Sequence, residues 1–114
     1  MDSGPPPREE PFAVDLVKEF LRGQNLEQLG RVEEAIKLYE HAVAADFDSP
    51  GPYDRLIEIY SQRALHLEVV RVAGAAQASV HTHPGKYQWY ESMADAARRA
   101  ATKVPPAAPK RSAG

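Results

Sequence analysis

The chain has 114 residues, 43% of them hydrophobic and 26% charged, which suits one soluble globular domain with a modest core. It contains no cysteine, and this excludes disulfides, thiolate metal sites and a cysteine nucleophile. The formal net charge of −2 excludes a chain that is basic throughout, yet the charges are segregated: residues 1–59 carry six Lys/Arg and thirteen Asp/Glu, whereas residues 60–114 carry eight and three.

Both ends of the chain are rich in proline and poor in residues that could form a core. We predict disordered tails at residues 1–12 and 105–114, the second of them basic, around one helical domain at residues 13–104. The first residues lack the apolar stretch of a secretory signal, and no segment is apolar enough to cross a membrane. These features lead us to expect a cytoplasmic protein without a membrane span.

The segment between the tails has the apolar spacing of helices and almost no strand signal. Five helices are predicted, at residues 13–29, 32–45, 52–64, 67–80 and 86–104. The apolar stripe expected to face the core is, in the first helix, Val14, Val17, Phe20, Leu21 and Leu26, and in the third, Tyr53, Leu56, Ile57, Ile59 and Tyr60.

The chain resembles itself at a spacing of 34 residues. The run Pro50-Gly51-Pro52-Tyr53 recurs as Pro84-Gly85-Lys86-Tyr87, and the same shift relates Gly30 to Ala64 and Ala42 to Ala76. A unit of this length holds two short helices, which cannot bury both of their apolar faces alone. The recurrence therefore predicts helix pairs that stack on one another.

The residues of one predicted helix pair carry a resemblance to a known family. Gly30, the acidic pair Glu33-Glu34, Ala35, Tyr39, Ala42 and Asp46 stand at the spacing of the second helix of a tetratricopeptide repeat. The resemblance covers roughly residues 16–104. It implies an all-α fold of antiparallel helical hairpins arranged as an α–α superhelix, with five helices that form about two units and a C-terminal capping helix.

The same resemblance implies a non-catalytic adaptor or scaffold that binds a partner protein or peptide. In this family the first helix of each unit lines a concave groove. The corresponding residues, named here the predicted groove, are Val17, Phe20, Gln24, Glu27, Gln28, Asp54, Glu58, Ser61, Gln62, Gln88, Ser92 and Asp95. This mildly acidic surface with an apolar patch suits a peptide that presents Lys or Arg beside an apolar anchor.

Two other interpretations remain open. The basic residues Arg98, Arg99, Lys103, Lys110 and Arg111 could contact nucleic acid or an anionic surface, although aromatic residues are not interleaved with them. The first two helices also resemble those of microtubule-interacting and transport domains, but the 34-residue recurrence favours the repeat interpretation. Separately, the opposite charges of the two halves suggest self-association through a head-to-tail contact.

No pattern in the sequence predicts catalysis or a cofactor. His81 and His83 lack a third ligand at a defined spacing, and metal sites usually need three or four. The chain contains no phosphate-binding loop, zincin motif or Ser–His–Asp order. We therefore expect no metal, no cofactor, no small-molecule substrate and no enzymatic activity.

Aromatic residues gather at the start of the last helix. We expect Tyr87, Trp89, Tyr90 and Met93 to seal the end of the stack, packing against Leu67, Val70 and Leu56. Because these aromatic residues span most of a helical turn, at least one ring should remain exposed.

Overall fold

A computed structural model of the protein describes residues 9–103, with side chains from Asp15 onwards. This part of the chain contains five α-helices and no strand, which confirms the all-α prediction. The helices are α1 (Glu9–Gln28), α2 (Val32–Ala44), α3 (Pro50–Gln62), α4 (His66–Ser79) and α5 (Lys86–Lys103).

The first helix begins earlier than the sequence pattern predicts. It starts at Glu9 rather than near Ala13, so residues 9–12 are helical and do not belong to a tail. A proline in the first turn of a helix removes no helical hydrogen bond, because the first N–H groups have no partner within the helix. Pro11, the third residue of α1, is therefore compatible with this start. The rest of the predicted tails, residues 1–8 and 105–114, lies outside the described residues.

Consecutive helices pack against each other, and α2 also contacts α4. Three tyrosines, one each from α2, α3 and α5, are fully buried at Tyr39, Tyr53 and Tyr90. All five apolar residues predicted to face the core from the third helix are buried. The core is therefore continuous from α2 to α5.

The first helix buries only part of the predicted face: Leu26 is 8% exposed, as predicted, but two other residues of the stripe are not buried. Leu16 is 2% exposed, whereas Val17 and Leu21, which the apolar stripe assigns to the core, are 45% and 55% exposed. Gly23 lies on the buried face, and a Cβ atom there would lie 2.6 Å from Cε1 of Tyr39. The close approach of Gly23 to the Tyr39 ring sets the rotation of α1 and turns Val17 towards solvent. The side chain of Val14 is outside the described residues.

The turns after α1 and α3 have the same backbone geometry. Gly30 and Ala64 both adopt a left-handed conformation, with φ of 80° and 57°. In each turn the next residue donates a backbone hydrogen bond to the carbonyl five residues earlier, from Arg31 to Leu26 at 2.8 Å and from Leu65 to Tyr60 at 2.9 Å. This is the Schellman arrangement that ends many helices. The corresponding atoms of the two turns are 34 residues apart. The arrangement also follows α2, where Asp46 has φ of 56° and Phe47 donates to the carbonyl of Ala42 at 3.1 Å.

Candidate functional site

The predicted groove is partly exposed and partly used in packing between helices. Eight of its residues are exposed: Val17, Gln28, Glu58, Ser61, Gln62, Gln88, Ser92 and Asp95. The other four, Phe20, Gln24, Glu27 and Asp54, are half-buried. The predicted groove thus supplies both exposed polar side chains and contacts between helices.

Phe20 packs α1 directly onto the start of α3. Its ring lies so close to Gly51 that a Cβ atom at that glycine would be 2.5 Å from the ring. The ring also lies beside Tyr39, with 5.8 Å between the two ring centroids. The apolar patch expected at Phe20 is therefore half-covered, and the exposed Val17 is the other apolar member of the predicted groove.

The carboxylate of Glu27 on α1 accepts hydrogen bonds from Tyr39 of α2 and Arg55 of α3. Arg55 donates two hydrogen bonds to this carboxylate, through Nε at 2.9 Å and Nη2 at 2.7 Å, and the Tyr39 hydroxyl donates a third at 2.6 Å. The bonds from Arg55 lower the pKa of Glu27, against the opposing effect of burial. Burial and the bond to Glu27 together raise the pKa of Tyr39. Glu27 is therefore an ionised carboxylate whose charge Arg55 already neutralises.

A cleft of about 250 Å³ lies beside this ion pair. Gln24, Glu27 and Gln28 of α1 and Arg55 of α3 line it. The structure therefore brings three residues of the predicted groove together. Arg55 is not among the residues predicted for the groove, because the sequence does not say which carboxylate an arginine will pair with.

Asp54 makes an equivalent connection between α3 and α5. Its carboxylate accepts hydrogen bonds from the Lys86 amine and the Tyr90 hydroxyl, both at 2.8 Å. The same amine lies 4.2 Å from the centre of the Trp89 ring, within the range of a cation–π contact. The charge of Asp54 is thus also neutralised within the chain.

The remaining acidic members of the predicted groove lie at the surface. Glu58 is exposed and accepts a hydrogen bond from Gln62 at 3.2 Å, while exposed Asp95 pairs with Arg98 at 2.9 Å. Among the acidic residues of the predicted groove, Glu58 is the one for which the described residues show no cationic partner. Glu58 follows Arg55 by three residues on α3, and its charge adds to the effect of Glu27 in raising the pKa of Arg55, which lines the cleft.

The aromatic residues of α5 divide between the core and the surface. Tyr90 is 1% exposed, whereas Tyr87 and Trp89 are 51% and 38% exposed, so two rings remain accessible. Leu67, expected to pack beneath them, is instead 73% exposed in the first turn of α4, where it lines a different surface. That part of the expectation is wrong, because the α5 residue that lines this surface is Ala101 and not an aromatic residue.

Among residues 9–103 no group of three or more His, Cys, Asp or Glu residues is placed to hold a metal ion. His81 and His83 are exposed, and Nδ1 of His83 lies 3.0 Å from the Thr82 hydroxyl oxygen. Of the basic residues near the C-terminus, Arg98 pairs with Asp95, whereas Arg99 and Lys103 are exposed. Lys110 and Arg111 lie outside the described residues.

The helices within the described part of the chain are also too short or too polar to span a membrane. Comparison of the chain with protein-family models, with curated proteins and with solved structures found no match.

Proposed function

We propose that this chain is a non-catalytic interaction module of the tetratricopeptide type, which binds an extended segment of a partner protein on the face formed by α1 and α3. The observation that carries the proposal is the cleft lined by Gln24, Glu27, Gln28 and Arg55. It lies between the first helices of two successive helix pairs, where the family resemblance places its ligands.

The repeat arrangement is part of this proposal, and the turn geometry supports it. Gly30 and Ala64 occupy the same backbone conformation 34 residues apart. Ala42 and Ala76, related by the same shift, are both buried in the core. Because Asp46 at the end of α2 has the same backbone conformation, the buried small residues at one period support stacked helix pairs more specifically than the turns do.

The chemistry of the cleft favours recognition of a peptide backbone. A glutamine side chain offers both a carbonyl acceptor and an NH₂ donor, so Gln24 and Gln28 can bond both the N–H and C=O groups of an extended chain. One wall of the cleft is formed by Glu27 and Arg55, whose opposite charges neutralise each other in an ion pair. The cleft itself should therefore take an uncharged stretch, and exposed Val17 can contact an apolar side chain.

A basic residue in the ligand would be attracted to a different part of the face. Glu58 is the acidic member of the predicted groove without a cationic partner in the described residues. Such an exposed charge mainly raises the association rate and selects among ligands, and contributes less to affinity. We therefore retain a Lys or Arg beside an apolar anchor as the preferred ligand pattern, with Glu58 as its contact.

The test begins with selection of peptides from a random displayed library against the purified full-length chain. Fluorescence anisotropy then gives the Kd of the strongest peptide for the wild type and for a Gln24→Ala, Gln28→Ala double variant. Loss of two hydrogen bonds, at about 1 kcal/mol each, should weaken binding by roughly 30-fold. Gln77→Ala is the matched control, because this glutamine lies on α4 and does not line the cleft.

Two results would count against the proposal. One is a selected peptide whose affinity falls with Gln77→Ala and not with the double variant. The other is a selection that yields no peptide while the chain binds an oligonucleotide, with binding lost on changing Arg99 and Lys103 to alanine. That second result would establish the alternative of a nucleic-acid-associated factor.

A further inference from the structure

A second groove, more apolar than the cleft at α1, lies between the start of α4 and the end of α5. It has a volume of about 460 Å³, and its lining residues are Ala64, Leu65, His66, Leu67, Glu68 and Ala101. His66 also lines an adjoining cleft of about 190 Å³ whose far wall is formed by Met93, Ala96, Ala97 and Ala100 of α5. The two cavities share His66 and together follow the last turns of α5.

The groove exists because the facing side chains are small. The α5 residues that face it, from Ala96 to Ala101, are alanines apart from the exposed Arg98 and Arg99. Alanine cannot fill the space beside the first turn of α4. Leu67 and Leu65 are consequently 73% and 43% exposed, an arrangement that leaves apolar surface in water.

We propose that residues 104–109 of the same chain, Val-Pro-Pro-Ala-Ala-Pro, dock in this groove and cover Leu65 and Leu67. This proposal does not depend on the function proposed above, because it concerns a different surface and a different ligand. Three features of the chain support it: where the segment begins, its chemistry, and the charges at its end.

The segment begins next to the groove. Ala101 lines the groove, and Val104 follows three residues later, so their Cα atoms are separated by at most about 11 Å of chain. Pro105 and Pro106 cannot continue the hydrogen bonding of α5. A proline also biases the residue before it away from helix and towards extended structure, and Val104 is the residue before Pro105.

The chemistry of the segment matches that of the groove. Residues 104–109 contain no charge and no polar side chain, and three of the six are prolines without a backbone N–H to satisfy. In a polyproline conformation, at about 3.1 Å per residue, the six residues extend about 19 Å. That length is sufficient for Val104 and the following residues to cover an apolar groove of this size.

The charges beyond the segment are complementary to the rim of the groove. Lys110 and Arg111 follow directly, while the rim carries Glu68, which is half-buried in the first turn of α4. Arg71 already pairs with Glu68 at 2.7 Å, so the added attraction is weak and serves to orient the segment. Apolar contact with Leu67 supplies the main part of the interaction.

The absence of cysteine allows a direct test on the full chain. A nitroxide attached to Ala108→Cys should broaden the amide NMR signals of residues 64–68 selectively, and leave those of α1 and α2 unchanged. Adding Leu67→Asp should restore the signals, because a charge in the groove disfavours the apolar segment. Leu67 is already exposed, so this change should not unfold the chain. Leu29→Asp is the matched control, since Leu29 is 69% exposed at the turn after α1.

The proposal is overturned if residues 64–68 keep their full signal in the labelled chain, or if Leu29→Asp releases the segment as effectively as Leu67→Asp. A mixture of spin-labelled chain without ¹⁵N and ¹⁵N-labelled chain without a spin label distinguishes a second copy. Broadening that is as strong in this mixture would show that the groove takes the segment of another molecule, and would also overturn it. None of these outcomes changes the peptide affinity expected at the cleft of Gln24 and Gln28.

Discussion

Arg55 of α3 grips the carboxylate of Glu27 on α1 with two parallel hydrogen bonds, across 28 residues of sequence. The acidic partner comes from the first half of the chain and the basic partner follows it. Three further ion pairs between helices have the same order and a similar separation, namely Glu33 with Arg63, Glu40 with Arg71, and Asp54 with Lys86.

These pairs give a physical reason for the segregated charges of the sequence. Each acid is matched by a base about one predicted repeat later, so an excess of acid accumulates early and an excess of base late. Three of the four pairs join an acid of residues 1–59 to a base of residues 60–114, so part of the opposite charge of the two halves is paired within one molecule. Charge segregation alone therefore no longer argues for a head-to-tail contact between copies.

Arg55→Ala should destabilise the fold, because it leaves the carboxylate of Glu27 half-buried with only the Tyr39 hydroxyl as partner. The side chain of Glu27 is 17% exposed, and loss of a charged hydrogen-bond partner at such a site costs about 1–3 kcal/mol. Urea unfolding followed by circular dichroism measures the change. Arg31→Ala is the matched control, since it breaks an exposed ion pair with Glu34, three residues away. The urea concentration at half unfolding of this variant should be close to that of the wild type. Equal shifts for the two variants would show that the Glu27 pair is worth no more than a surface contact.

The same pair should make stability fall on acidification. The pKa of Glu27 is lower in the folded chain than its ordinary value of 4.5, chiefly through Arg55. Its contribution is therefore fully present above that value and is lost as the pH falls through the folded pKa. The stability difference between the wild type and Arg55→Ala should shrink as the pH falls below about 4.5. A difference that stays constant at acid pH would mean that Arg55 acts through packing alone.

Three tyrosine hydroxyls that donate to carboxylates should limit stability at alkaline pH. Burial raises the pKa of Tyr39, Tyr60 and Tyr90 above the ordinary tyrosine value of 10.0. Hydrogen bonds to Glu27, Glu40 and Asp54 add to the effect. Because the unfolded chain ionises first, the stabilisation is complete below about pH 10 and is lost as the pH rises further. Phenolate absorbance should therefore appear together with loss of the helical circular dichroism signal.

Tyr90→Phe removes one of these groups, so the stability of this variant should fall less steeply above pH 10 than that of the wild type. Ionisation of all the tyrosines while the helices persist would contradict the hydrogen-bond arrangement. Alkaline titration thus separates buried, bonded hydroxyls from exposed ones in a single experiment.

Much of the fold could be predicted from the sequence, since helix periodicity and turn residues are local signals. The five helices were predicted within a few residues of most of their bounds, and the buried face of α3 was predicted completely. For α1 the burial of Leu26 was predicted, but Val17 was assigned to the core in place of its neighbour Leu16, which has a similar apolar side chain. The better guide was Gly23, which marks where α1 comes close to Tyr39.

The candidate site was predicted less well, because its properties depend on contacts between distant residues. From the sequence, Glu27 was expected to be an unpaired acidic residue. Its charge is neutralised by Arg55 only in the folded chain, where α1 lies beside α3. The groove at Leu67 likewise arises from alanines on α5 that the sequence presents as good helix formers. Local patterns fix the elements, whereas the charge and shape of a surface follow from how the elements pack.

Gly23→Ala should destabilise the chain even though alanine is the better helix former. The new methyl group would lie 2.6 Å from Cε1 of Tyr39, whose ring is fully buried and held by Glu27. Overpacking of this kind costs about 1–3 kcal/mol. Gly74→Ala is the matched control in the middle of α4, where nothing lies within 4 Å, and it should stabilise by about 0.5–1 kcal/mol. Thermal unfolding of the two variants should thus give shifts of opposite sign, and a stabilising Gly23→Ala would mean that α1 packs less closely than described.

Exchanging the residues of the two equivalent turns should have opposite effects on stability. Gly30 and Ala64 have φ of 80° and 57°. This left-handed backbone conformation costs a residue with a Cβ atom about 1–2 kcal/mol of conformational free energy, whereas glycine adopts it without that cost. Gly30→Ala should therefore lower the free energy of unfolding by about 1 kcal/mol. Ala64→Gly relieves strain but gives the unfolded chain more freedom, so its net gain is up to about 1 kcal/mol. Urea unfolding of the two variants and the wild type gives both changes in the free energy of unfolding. If Ala64→Gly is as destabilising as Gly30→Ala, then the two turns differ in backbone conformation, and the 34-residue equivalence on which the repeat arrangement rests is lost.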